Sequence, residues 1–129
     1  MLTKRQRDIR NTSSKYWRNK ADKEITRIFR GKPCIVCGTK KNTCGHHLIS
    51  RGHAVTRHDL HNIVPLCPSH HCYSNECAPH SKNAFAVCEF VDLIKTKYPE
   101  TYTFWQEHKN LISKTDYQAA YEKLKDIEI

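Results

Sequence analysis

Long apolar runs are missing from this chain. No stretch approaches the ~20 apolar residues that a membrane-spanning helix requires, so no membrane partner is expected. The opening residues, Met1-Leu-Thr-Lys-Arg-Gln-Arg-Asp, lack the apolar segment of a secretory signal, which argues for a cytoplasmic protein. Internal repeats and low-complexity tracts are also lacking, which leaves no basis for a repeat array. Acidic residues are scarce: 13 Asp and Glu stand against 22 Lys and Arg in 129 residues, a formal charge of +9. That imbalance favours a polyanionic partner, most simply nucleic acid. Only 38% of the residues are hydrophobic against 27% charged, so the core is modest and bound metal would help to hold it. Seven cysteines without a secretion signal read as metal-ligating thiolates, not as a disulfide framework. A secreted mini-protein, a membrane protein and a Rossmann enzyme are all disfavoured.

Three regions follow from the composition. Residues 1–32 carry eleven bases and three acids, a net +8 of the chain's +9. The first dozen read as a mobile basic arm. Ser13 or Ser14 would then cap a helix through about Phe29, with Trp17, Ile25, Ile28 and Phe29 on its apolar face. Arg5, Arg7, Arg10, Lys15 and Arg18 are the candidates to track a phosphate backbone. Gly31-Lys32-Pro33 breaks that helix. Residues 33–80 hold six of the seven cysteines and eight of the nine histidines. Residues 81–129 read as a helical extension. A first helix there would turn Phe85, Cys88, Val91, Leu93 and Ile94 inward. A second would start at Pro99 and carry Tyr102, Phe104 and Trp105. A third, capped by Thr115, would place Tyr117, Ala120, Tyr121, Leu124 and Ile127 on one face. The aromatic residues of these helices read as packing.

Cys34-Ile-Val-Cys37-Gly38 is a C-x-x-C pair followed by glycine, and Cys67-Pro-Ser-His70 supplies a second pair at the same spacing thirty residues on. Pairs at this spacing converge on one ion. Together they describe a closed Cys3His site for structural Zn2+. Pro68 suits the first turn of a helix carrying the second pair. Cys72 competes with His70 for the fourth position. Cys77 and His80, with Cys72 or Cys88, could hold a second ion, whereas Cys44 and Cys88 are more simply free thiols.

A site satisfied by Cys34, Cys37, Cys67 and His70 leaves His46, His47, Asn62 and His71 unexplained. The order Cys-x-x-Cys-Gly, His46-His47, Asn62, Leu66-Cys67-x-x-His70-His71 resembles the HNH nucleases, the zinc-bearing branch of the ββα-metal endonucleases. The resemblance covers residues 33–75. More weakly, the helical tail and the Arg57-to-Asn62 spacing resemble the phage NinG (Rap) recombination nucleases, and a phage or mobile-element origin would mean the host cell's cytoplasm. The fold class implied is α+β: a small ββα-metal core with a structural zinc, flanked by a basic N-terminal helix and C-terminal helices.

The resemblance implies metal-dependent hydrolysis of DNA phosphodiester bonds, leaving 5′-phosphate and 3′-hydroxyl ends. His47 matches the general base, and Asn62 matches the residue that braces the strand carrying it. His46 and His71 match the ligands of one catalytic cation, Mg2+ or alternatively Mn2+, Ni2+ or Co2+, with His70 or His80 as other candidates for that role. Arg51 and Arg57 are candidates for phosphate contact. The ββα element would enter the minor groove of DNA, and a homodimer would be needed for concerted double-strand cleavage. The rival expectation is a zinc-finger DNA-binding protein without catalysis. One geometric difficulty stands out: neighbouring residues on a strand point to opposite faces, so His46 and His47 cannot both reach one site from a regular strand unless Gly45 or a strand end relaxes it.

Overall fold

The structure, a computed structural model, describes residues 1 and 3–128, with side chains for all of these except 7–13. Its elements run α1 (Lys4–Phe29), β1 (Cys44–His47), β2 (Ile63–Leu66), α2 (Ala84–Lys97), α3 (Pro99–His108) and α4 (Tyr117–Leu124). The chain is thus a mixture of helices with one small antiparallel sheet of two strands. No helix of the described residues is long and apolar enough to cross a membrane.

The helix α1 begins ten residues earlier than the sequence predicts. Thr3 and Gln6 form a reciprocal capping box: the Thr3 hydroxyl accepts from the Gln6 N–H and the Gln6 side chain accepts from the Thr3 N–H. Two of the orphan donors at the helix start are satisfied in this way, so residues 4–13 continue the helix in place of a mobile arm. The Arg7 and Arg10 side chains lie outside the described ones.

Two apolar clusters flank the sheet. Ala21, Ile25, Ile28 and Phe29 of α1 meet Ile63 of β2 and Leu124 of α4, with Leu60, Tyr121 and Ile127 packed against them. On the other face Val64, Leu66, Cys34 and Cys67 meet Phe90 and Ile94 of α2. Ile63 and Val64 therefore face opposite ways, as alternation on a strand demands. Each large side chain buried in this fashion contributes about 1.5–3 kcal/mol.

The helix α2 corrects the expected inward face. Ala86, Phe90 and Ile94 are buried, while Phe85, Cys88 and Val91 are exposed. The segment carries two apolar stripes, and the one that meets β2 wins. Asn83 caps it by accepting from the Phe85 N–H. Pro99 does open α3, and Asp116, one residue after the expected Thr115, caps α4 by accepting from the Ala119 N–H. Antiparallel pairing places His46 opposite Val64 and His47 opposite Ile63. His46 thus faces α2 and His47 faces α1.

Candidate metal centres and the adjoining cleft

The C-x-x-C pair sits on a tight turn. The Gly38 N–H donates to the Cys34 carbonyl at 2.8 Å, and Gly38 has φ +75°, a conformation open mainly to glycine. The Ile35 N–H donates to the Pro65 carbonyl, which ties this turn to β2. Beyond β2 the chain makes one wide helical turn, Ser69–Tyr73, closed by the Ser74 N–H on the Ser69 carbonyl. Ligand atoms of Cys34, Cys37, Cys67 and His70 all lie within 4.8 Å of one another. The Cys37 and Cys67 sulfurs are 3.7 Å apart, and Cys67 Sγ is 3.3 Å from His70 Nδ1. Four ligands around zinc at ~2.3 Å would bring tetrahedral sulfurs to about 3.8 Å of each other, so this set fits such an ion. Burial would raise the Cys34 thiol pKa, but hydrogen bonds from the backbone at Cys67, Cys37 and Val36 outweigh it and push the pKa below its ordinary value. That favours the thiolate a metal requires.

Cys72 is not in this cluster; among the described residues the fourth member is His70. Nor do Cys72, Cys77 and Cys88 form a cluster of their own with His80. The chain from 74 to 80 folds back instead, and the His80 N–H donates to the His71 carbonyl at 3.0 Å.

That return builds a second group. Ligand atoms of His46, His71 and His80 lie within 4.8 Å of one another. His46 Nδ1 and His71 Nε2 are 3.1 Å apart, while the ring centroids of the three lie 4.8–5.0 Å from each other. Nitrogens at ~2.0–2.1 Å from one ion sit about 2.9–3.4 Å apart in octahedral or tetrahedral geometry, and the observed pair falls in that interval. Burial pushes the His46 pKa down to about 3, with the positive charge available to His71, His80 and His47 acting the same way. His71 is lowered by burial and by His80. Both are therefore neutral near pH 7, the state that ligates cations. His70 and His71 are neighbours on one turn yet serve different clusters.

His47 stands across the strand from His46. Its Nε2 lies 2.8 Å from the Arg57 carbonyl oxygen. A carbonyl only accepts, so Nε2 carries the hydrogen and Nδ1 is the basic nitrogen. Burial lowers the His47 pKa and the Arg51 and Arg57 charges add to this, with the Arg57 carbonyl opposing. The two side chains leave opposite faces of the strand, but a cleft of about 860 Å³ wraps around β1 and takes both into its lining. Gly45 plays another part than the one expected. A Cβ there would lie 2.8 Å from Ile63 Cγ2 and 3.3 Å from the Phe29 ring, so its bareness lets α1 close on the sheet.

Asn62 is fully buried. Its Oδ1 accepts from the Ile49 N–H at 2.7 Å, and its Nδ2 donates to the Ile49 and Thr56 carbonyls at 3.0 and 3.2 Å. One amide thus pins both ends of the loop that follows β1.

Asp22 is a residue that sequence reasoning missed. Arg57 donates to both of its carboxylate oxygens, at 3.0 and 2.7 Å. His58 Nε2 reaches it at 2.7 Å, and Arg51 at 3.3 Å. Burial would raise the Asp22 pKa, but hydrogen bonds from His58 and Arg57 hold the carboxyl well below the usual range. The only signal in the sequence is an acid placed within a helix of bases. Arg57, whose side chain is 14% exposed, is committed to this pair, whereas Arg51, at 59%, stands on the cleft rim. On α1, Arg5 and Lys15 are exposed and Arg18 is half-buried.

No family model, curated protein or solved structure matches this chain.

Proposed function

We propose that this protein is a metal-dependent DNA endonuclease of the HNH, ββα-metal kind, with a Cys3His zinc as scaffold. The observation that carries the reading is the convergence of His46, His71 and His80 in the cleft that also takes His47. In this chain the third element of the ββα unit is the short turn Ser69–Tyr73, which bears both His70 and His71.

His47 is the general base: its free Nδ1 takes a proton from water, and that oxygen attacks phosphorus in line. The bond to the 3′ oxygen breaks and that oxygen takes a proton from solvent water, leaving 3′-hydroxyl and 5′-phosphate ends. The Arg57 carbonyl fixes the His47 ring and tautomer, and Asn62 keeps the supporting loop in place. Asp22 anchors Arg57. Arg51, more exposed than Arg57 and at the longer distance of 3.3 Å from Asp22, would meet a flanking phosphate. A divalent cation held by His46, His71 and His80 would neutralise charge growing on the phosphate and departing oxygen. Three imidazoles without a carboxylate suit Mn2+, Co2+ or Ni2+ better than oxygen-seeking Mg2+. The bases of α1, Arg5, Lys15 and Arg18 among them, would hold the DNA backbone without reading sequence. One centre cuts one strand, so double-strand cleavage would require a second copy or two successive visits.

A zinc-finger binder accounts for the charge and the Cys3His cluster, but not for a second, all-imidazole cluster beside an anchored histidine. Incubation with supercoiled plasmid and Mn2+ or Mg2+, with and without chelator, separates them. Nicked plasmid is expected; a mobility shift without nicking would select the binder.

A further inference from the structure

The cleft beside the three histidines has a wall that hydrolysis alone does not use. Val87, Phe90 and Val91 of α2 lead along it to Tyr102 and Trp105 of α3, whose rings are 5.9 Å apart and tilted by 33°. Tyr102 leans on the α2 core, but Trp105 packs against neither apolar cluster. Both rings are half-buried. The Lys95 ammonium lies 5.7 Å from the Tyr102 centroid, and that of Lys109 lies 4.8 Å from the Trp105 centroid. Arg30 and Arg51 stand in the same lining. The one acid among its described lining residues, Asp22, is already paired with Arg57, His58 and Arg51.

Aromatic faces set among fixed cations are the means by which proteins hold unpaired bases: the rings stack and the cations follow the phosphates. An intact duplex keeps its base faces inside the stack and offers only edges and backbone. The cleft volume of about 860 Å³ falls in the ~300–1,000 Å³ range of pockets for small organic groups, which suits a nucleotide. We infer that this wall receives the unpaired base next to the cleaved linkage, with Trp105 as the stacking face. The preferred substrate is then a single-stranded or locally melted DNA segment. The inference deepens the endonuclease reading and rests on it for the word substrate, although the binding it describes is measurable separately.

The test is fluorescence anisotropy of a labelled 12-mer DNA strand and of its duplex, using the zinc-loaded full chain without added divalent cation. The single strand is expected to bind at least about 10-fold tighter than the duplex. Trp105→Ala should weaken single-strand binding about 5- to 150-fold, the range of one lost base stack. It should change duplex binding less than about twofold, and Trp105→Phe should retain the preference. Unchanged zinc content and melting temperature would show that the variants fold. Equal affinity for strand and duplex, or Trp105→Ala binding like the parent, would overturn the inference. Cleavage of the same oligonucleotides with Mn2+ is a separate readout: if none occurs while Trp105-dependent binding persists, the hydrolytic reading falls and this one stands.

Discussion

The Nε2–H of His47 is held by the backbone carbonyl of Arg57 at 2.8 Å, and the Arg57 guanidinium is itself clasped by Asp22. A side chain of α1 thereby reaches the ring that the proposed mechanism uses as base. The orientation of His47 depends on an acid lying twenty-five residues earlier in the chain.

Removal of the base should be selective. His47→Ala is expected to lower the plasmid-nicking rate about 10²–10⁴-fold, the usual worth of general base catalysis, while zinc content stays at one per chain. Nicking at the parental rate would take the role of base from His47.

The acid limb of the pH–rate profile should lie low. Burial holds the His47 pKa below 6.5, so the neutral ring, which is the active form, persists to lower pH than that of a free histidine. His46 and His71 shift in the same direction and remain ready to ligate. The midpoint of the acid limb should therefore fall below that of a free histidine, about pH 6.5. A midpoint above 7 would contradict both the burial and the assignment.

Asp22→Asn should cost about 2–3 kcal/mol in a denaturant melt, because it leaves Arg57 and the buried His58 facing a neutral partner. The folded-state pKa lies below the unfolded value, so the carboxylate's contribution is complete above about pH 4 and is lost as pH falls further. The variant should accordingly lose part of the parental acid sensitivity. Equal melts of parent and variant at pH 7 would remove Asp22 from the account.

Asn62→Ala breaks three hydrogen bonds in a site without solvent and should destabilise the fold by about 2–4 kcal/mol. Hydrogen exchange should speed up at the Ile49 amide first. If that amide stays as protected as in the parent, the loop is held by something else.

The parts of the site legible in the sequence were those with short spacing. Cys34 with Cys37, and Cys67 with His70, sit three residues apart, and a turn brings each pair together wherever the rest of the chain goes. His80, one of three candidates in the sequence, is selected because the chain folds back and its N–H donates to the His71 carbonyl, a return that spacing alone does not encode. The choice between the two stripes of α2 was equally hidden, since Phe85–Cys88–Val91 and Ala86–Phe90–Ile94 are both apolar and only the sheet decides between them. The early start of α1 rests on Thr3 and Gln6, whose capping box outweighs the mutual repulsion of the bases that follow. The mixed helix-and-strand class came from the resemblance carried by the cysteine, histidine and asparagine order, and the structure shows helices with one small two-stranded sheet. β1 pairs antiparallel with β2, and Ile63 and Val64 are buried on opposite faces of that pair.

The most direct measurement is a Co2+ titration of the zinc-loaded chain, followed by visible absorption. One equivalent should enter with a nitrogen-ligand spectrum free of thiolate charge transfer, without displacing zinc, and His71→Ala or His80→Ala should weaken uptake at least about 10-fold. If cobalt displaces zinc or fails to bind, or if both variants take it up like the parent, the three imidazoles do not form a second cation site and the hydrolytic mechanism loses its cation.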